Sequence, residues 1–156
     1  MSAPLKRALK VYRLHAGGCN NCDIEILALL IPRFDAERKL GIEIVHSPED
    51  ANVLVVTGPV TKQIKNMVLE VYEQVPEPKA VVVVGTCGLS GGVFGGGGVE
   101  NYAIAGPIHK FIPVDVHVPG CPPKPEAIMR GIALAIQKLA EKASAKRNSA
   151  KDASLG

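Results

Sequence analysis

Four cysteines, Cys19, Cys22, Cys87 and Cys121, are the residues of this chain best suited to chemistry. The first two lie in GGCNNC, the third in GTCG and the fourth in VPGCPP, with 65 and 34 positions separating Cys22, Cys87 and Cys121. Each motif follows a short β-branched run: LKVYRLH (9–15), KAVVVVG (79–85) and PVDVHV (113–118). In an open α/β sheet, the edge beyond the carboxyl ends of the strands is where ligands bind, so the spacing predicts that four distant thiols meet there. Gly17 and Gly18 precede Cys19, Gly88 follows Cys87 and Gly120 precedes Cys121. Glycines admit unusual backbone angles and leave amide N–H groups free to point at bound sulfur. Pro122 and Pro123 stiffen the last loop. Four thiolates around a polarizable inorganic core suit an iron–sulfur cluster. Three other readings stay open on spacing alone. Zinc would use the same ligands, although it usually recruits two paired knuckles and only one pair exists here. A thioredoxin-like C-x-x-C would leave Cys87 and Cys121 without a role. Finally, free cysteines are often plain core residues.

The elements that must carry these thiols read as alternating strands and helices. NVLVVTG (52–58) and KAVVVVG are almost continuously apolar, as strands buried on both faces of a parallel sheet are. GIEIV (41–45) adds a weaker strand. After Thr61, read as an N-cap, Ile64, Met67, Val68, Val71, Tyr72 and Val75 mark one helix face. Ile128, Ile132, Ala135, Ile136 and Leu139 mark another, on a helix starting near Pro125. Residues 23–31 are apolar nearly all round, which predicts a helix covered by the sheet on one side and by something else on the other. The expected fold is α/β: a doubly wound, mostly parallel sheet in one domain over 11–141, with a basic arm at 1–10 and a disordered tail at 142–156.

Composition narrows the function classes. The 156 residues suffice for one domain with a real core, and 47% hydrophobic with 21% charged residues excludes general disorder. Aromatics are 4% with no Trp, which argues against base stacking. The net charge of +3 is uneven: Lys6, Arg7, Lys10 and Arg13 make the start basic, and residues 141–156 carry net +2, while 14–140 carry net −3. An acidic body with basic ends does not fit a nucleic-acid binder; the ends suit anionic lipid, an acidic partner or plain solvent. Residues 80–99 are uncharged, but eight of them are Gly, so they do not form a membrane span. The charged start leads into KVYRLH rather than an apolar segment, so no signal peptide or transmembrane segment is expected. Cysteines in an unexported protein read as ligands or redox thiols before structural disulfides.

GGCNNCDIEI, GTCGLSGGVF and IPVDVHVPGCPPKPEAI resemble the small subunit of membrane-bound, complex I-related NiFe hydrogenases, which is similar to the 20 kDa-type subunit of respiratory complex I. The likeness runs from about Val11 to Leu139. It implies a flavodoxin-like domain in which Cys19, Cys22, Cys87 and Cys121 hold one 4Fe–4S cluster, the one nearest a large catalytic subunit. Complex I-type subunits have two adjacent cysteines at the first position, whereas Cys19 and Cys22 are spaced C-x-x-C as on the hydrogenase side. The resemblance thus implies an electron relay with no catalytic residue of its own. It would link a ferredoxin-type subunit to the large subunit, beside membrane anchor subunits, peripherally on the cytoplasmic face of the membrane. Related sulfur- or quinone-reducing complexes share the module, and a stand-alone redox or zinc protein is the alternative outside the family.

The same resemblance places Glu25 at an acidic position beside the cluster, on a proton path; the physical alternative is a carboxylate favoured, like Asp23, by a helix N-terminus. His15, shortly before the first cysteine, either tunes the cluster, couples its reduction to protonation, or packs as an ordinary strand-end histidine. His46, His109 and His117 have no ligand spacing with the cysteines. GGVFGGGG (91–98) fits no dinucleotide fingerprint and reads as a mobile or partner-facing loop.

Overall fold

A computed structural model describes residues 9–95 and 101–153, with side chains described to residue 146. In chain order the elements are β1 (Leu9–His15), α1 (Asn21–Ala28), α2 (Ala36–Leu40), β2 (Ile42–Val45), β3 (Val53–Thr57), β4 (Val60–Thr61), α3 (Lys65–Gln74), β5 (Ala80–Val84), α4 (Thr86–Ser90), α5 (Gly92–Gly95), β6 (Ile104–Gly106), β7 (Val116–Val118) and α6 (Pro125–Ala153). Five strands form one parallel sheet in the order β2-β1-β3-β5-β7. With the main-sheet strands counted in sequence, this is the 2-1-3-4-5 order of flavodoxin-like folds, as the resemblance implied, within the doubly wound sheet that the strand–helix alternation predicted. β4 and β6 pair separately as a small antiparallel ribbon.

The apolar runs explain the two-sided winding. β3 and β5 are buried at every position. Successive side chains of a strand point to opposite faces. Val53, Val55, Val82 and Val84 therefore join Ile26 of α1 and Ile128, Ile132 and Ala135 of α6 in one core. Leu54, Val56, Val81 and Val83 join Val68 and Val71 of α3 in the other. Parallel strands need crossover helices, and helices on both faces account for the absence of polar alternation in these two strands.

Several expectations shift. Thr61 is not the N-cap of α3: it pairs with Ile104 in β4, and Ile64 occupies the cap position, its N–H 3.4 Å from Thr61 Oγ1. The last helix does not stop near 141. α6 continues to Ala153 through residues assigned to a disordered tail, because 138–153 contain no Gly or Pro and are rich in the good helix formers Ala and Lys. Of the basic arm expected at 1–10, residues 1–8 lie outside the described residues, and Leu9 and Lys10 belong to β1, paired with Ile42 and Glu43. The glycine-rich stretch begins as α5, while 96–98 fall outside the described residues. α1 buries Asp23, Ile26 and Leu29 on the sheet side and leaves Ile24 61% exposed, with Leu27, Leu30 and Ile31 also exposed. Among the described residues, no helix is long and apolar enough to cross a membrane.

Candidate metal centre

The strand order reverses between β1 and β3, which leave in opposite directions across the sheet and open a crevice at their carboxyl ends. The loop after β1 brings Cys19 there and the first turn of α1 brings Cys22, α4 after β5 brings Cys87, and the loop after β7 brings Cys121. All four line one shallow, solvent-open cavity, together with Gly18, Asn20, Asn21, Asp23, Thr57, Gly58, Gly120 and Pro122. Cys87 is buried, Cys22 half-buried, and Cys19 and Cys121 are exposed at the mouth; none of the four is in a disulfide.

Backbone closeness lets the loops converge. Gly58, at φ +80° after β3, would place a Cβ 2.3 Å from Gly18 N, so the two loops touch through bare backbone. Gly85, at φ +95°, would place a Cβ 2.6 Å from Cys22 Sγ. The loops after β5 and β7 are tied by Thr86, whose N–H donates to Gly120 O (2.9 Å) and whose Oγ1 accepts from Gly120 N–H (3.3 Å). Gly120 therefore offers its amide to Thr86. Gly88 is buried against Val83 inside α4.

The electrostatics of the four thiols resist ionisation. Burial, then the neighbouring Cys19, Cys87, Asp23 and Cys121, push the Cys22 thiol up to about 11. Burial and the neighbouring Cys121 and Cys19 push Cys87 up as well, partly offset by the amides of Val93 and Cys87 itself. Mutual repulsion of this kind requires the sulfurs to be close, and a cationic inorganic core is what would let them sit together as thiolates. The donor set thus fits an iron–sulfur group, with Cys19, Cys22, Cys87 and Cys121 as the residues able to hold it. Among the described residues, no three His, Cys, Asp or Glu side chains are grouped as a site for a single metal ion.

Beside Cys22 lies a polar cluster that sequence reasoning did not assemble. Asp23 is 5% exposed. Its Oδ1 accepts from Arg13 Nη1 at 3.1 Å, and its Oδ2 accepts from Thr57 Oγ1 at 2.9 Å and from His15 Nδ1 at 2.8 Å. An ionised carboxylate only accepts, so His15 carries its proton on Nδ1. The available signal was the spacing of Arg13 and His15, two apart on β1 and so on the same face, with Thr57 the one polar residue ending the apolar run of β3. Glu25, two positions past Asp23 and half-buried, does not face this cluster. His46, His109 and His117 stand away from the cavity lining.

Comparison with known proteins identifies the family. Residues 19–135 match the family model described as NADH ubiquinone oxidoreductase, 20 Kd subunit. The chain is 51% identical over 131 residues to a probable membrane-bound hydrogenase subunit of Pyrococcus furiosus, covering 84% of this chain and 75% of that protein. It is 44% identical over 142 residues to formate hydrogenlyase subunit 7 of Escherichia coli, covering 91% of this chain and 54% of that protein. Among solved structures, a chain of the archaeal membrane-bound sulfane sulfur reductase superposes with a TM-score of 0.69 at 33% identity, covering 85% of this chain and 72% of that one.

Proposed function

The chain belongs to the NADH ubiquinone oxidoreductase 20 Kd subunit family, and from that membership we propose that it is the electron-relay subunit of a membrane-bound, hydrogenase-type oxidoreductase complex. The observation that carries the proposal is the convergence of Cys19, Cys22, Cys87 and Cys121 on one cavity at the switch point of the sheet. One 4Fe–4S cluster held there would supply reversible one-electron transfer. The chain's own residues would do the rest: the four thiolates bind, the Gly58–Gly18 contact and the Thr86–Gly120 bonds fix the loops, and the backbone at Gly18 and Gly120 walls the cluster, whereas Gly88 faces Val83 in the core rather than the cavity. Cys87 and Cys22 form the inner side of the site. Cys19 and Cys121 form its open side, where a large catalytic subunit would receive or return electrons. Glu25, one turn into α1 and half-buried, would carry proton traffic near that side, although it does not itself line the cavity.

The exposed apolar residues at and just after α1 are where a neighbouring subunit would supply the second cover that the sequence called for. A ferredoxin-type subunit would be the other electron partner, with membrane anchor subunits holding the assembly peripherally at the cytoplasmic face. The C-x-x-C spacing of Cys19 and Cys22 and the 51% identity to a probable membrane-bound hydrogenase subunit support hydrogen as the substrate of the whole complex. A second reading, a sulfur-reducing complex, is favoured by the likeness to the sulfane sulfur reductase chain.

Anaerobic purification with iron and sulfide analysis and reduced-state EPR tests the relay: one cubane per chain is expected. Bound zinc, or a metal-free protein with a Cys19–Cys22 disulfide, would overturn it. Cys121→Ser should damage the cluster, and a wild-type spectrum from that variant would contradict the ligand set. Co-purification separates the two complexes. A large partner with two C-x-x-C motifs for nickel indicates hydrogenase, and a partner without them indicates sulfur or quinone reduction.

A further inference from the structure

The carboxylate of Asp23 is the one buried acid among the described residues, and its neighbour in sequence is a cavity-lining cysteine. Burying a carboxylate is costly unless it is paired and hydrogen-bonded, and this one has three partners drawn from two strands. Arg13 and His15 come from β1, and Thr57 comes from the end of β3. β1 and β3 are the strands that flank the switch point, with His15 and Thr57 directly paired in register. The first turn of α1 is thereby bolted to the floor of the crevice through Asp23 rather than through a helix cap; Asn20, at the cap position, makes no side-chain capping bond.

We propose that Asp23 and Arg13 form a fixed charge pair that orients the Cys22 turn and sets the reduction potential of the cluster it holds. The inference rests on the proposed relay function. Its logic is positional. Asp23 is held deep, beside Cys22, while Arg13 is 37% exposed on the outer side of the carboxylate. Asp23 lines the cavity and Arg13 does not, so the negative end of the pair is the one nearer the cluster, and its field there disfavours added negative charge. Taking up one electron makes the cluster more negative by one charge. The inner carboxylate therefore opposes reduction, and the outer guanidinium partly offsets it. Water screens the exposed arginine more than the buried acid, so the acid dominates. His15 and Thr57 hold the carboxylate in this orientation and are positioning residues.

The test is an EPR-monitored dithionite titration of the purified complex with Asp23→Asn and Arg13→Gln, beside iron and sulfide content. Asp23→Asn should move the midpoint potential upward and Arg13→Gln should move it downward by a smaller amount, both with a full cluster. A merely structural role would loosen the site in both variants and shift both potentials the same way, or neither. Either of those results overturns the inference. If Asp23→Asn does not assemble, Arg13→Gln decides alone, since its half-exposed side chain is not needed for the core: a downward shift supports the pair and an unchanged potential refutes it. A wild-type complex lacking the cluster would overturn the proposed function and this inference together, whereas unchanged potentials in loaded variants overturn only the inference.

Discussion

Replacing Gly85 by Ala separates the site from the fold more cleanly than removing a cysteine does. Gly85 sits between β5 and α4 at φ +95° and ψ 151°, a region reserved almost wholly for glycine. Backbone strain there costs about 1–3 kcal/mol for any residue with a Cβ. The added methyl would also stand 2.6 Å from Cys22 Sγ, so the sulfur must retreat by about 0.8 Å to reach an ordinary contact of 3.4 Å. Binding constellations tolerate only about 0.5 Å of misplacement. The strain alone leaves a domain of this size folded, since typical stabilities are about 5–15 kcal/mol. The variant should therefore be folded by circular dichroism yet reconstitute with little iron and sulfide. Gly41→Ala is the control. It has φ +64° at the end of α2, but nothing lies within 4 Å of its added Cβ. It should cost about 1 kcal/mol from left-handed strain alone and keep a full cluster. A Gly85→Ala protein with wild-type iron content and spectrum would refute the argument that this glycine exists to make room for Cys22.

The remaining predictions probe other parts of the same scheme. In metal-free protein, the Cys22 thiol pushed up to about 11 from an ordinary 9.0 leaves about 100-fold less thiolate at pH 8, and iodoacetamide labelling with mass spectrometry should find it slower than in the unfolded chain by about that factor. Because the folded thiol keeps its proton where the unfolded one loses it, metal-free stability should fall as pH rises from about 9 to about 11; denaturation at pH 8 and pH 10.5 checks the sign. Lys79→Met removes the buried ammonium that donates to Tyr72 O (2.6 Å) and Val75 O (3.1 Å), and should cost roughly 1–3 kcal/mol in urea denaturation without loss of iron. Deleting residues 1–8 removes Lys6 and Arg7 but spares the Leu9–Ile42 pairing, so the complex should wash off membranes at lower salt with its cluster intact. Unchanged retention would show that the basic start has no part in attachment.

Most of the architecture could be read from the chain because the signals were local. The runs at 52–58 and 79–85 are β-branched and unbroken, and both became fully buried central strands. The glycines and prolines around the cysteines marked loops, and the strand–helix alternation implied one edge for all of them. What escaped reading depended on partners far along the chain. The ribbon of β4 and β6 is too short to show periodicity, and Thr61 looked like a helix cap because its partner Ile104 lies 43 positions away. The end of α6 reads as a tail because its charge and low hydrophobicity resemble one, although its Ala and Lys are good helix formers. Asp23 was legible only as a first-turn acid. That it is buried follows from Arg13, His15 and Thr57 meeting it, which register between β1 and β3 decides and composition does not.

The placement of polar groups divides the molecule by task. At the carboxyl edge of the sheet, Asp23 draws its partners from strands beside the thiols, so any change there alters both the stability of the first turn of α1 and the charge felt at Cys22. At the opposite edge, Lys79 ends α3 and Asp115 binds the amide of Val81 and the ammonium of Lys142, tying α6 to the start of β5. The two valine cores lie between these edges and insulate one from the other. Energetic effects at sites this far apart, with no shared partner, should add. Combining Lys79→Met with Asp23→Asn should therefore give the sum of their separate stability losses and the potential shift of Asp23→Asn alone. A potential that moved with Lys79 would mean that the sheet transmits strain between its edges, and that the cluster is tuned by the whole fold rather than by the crevice.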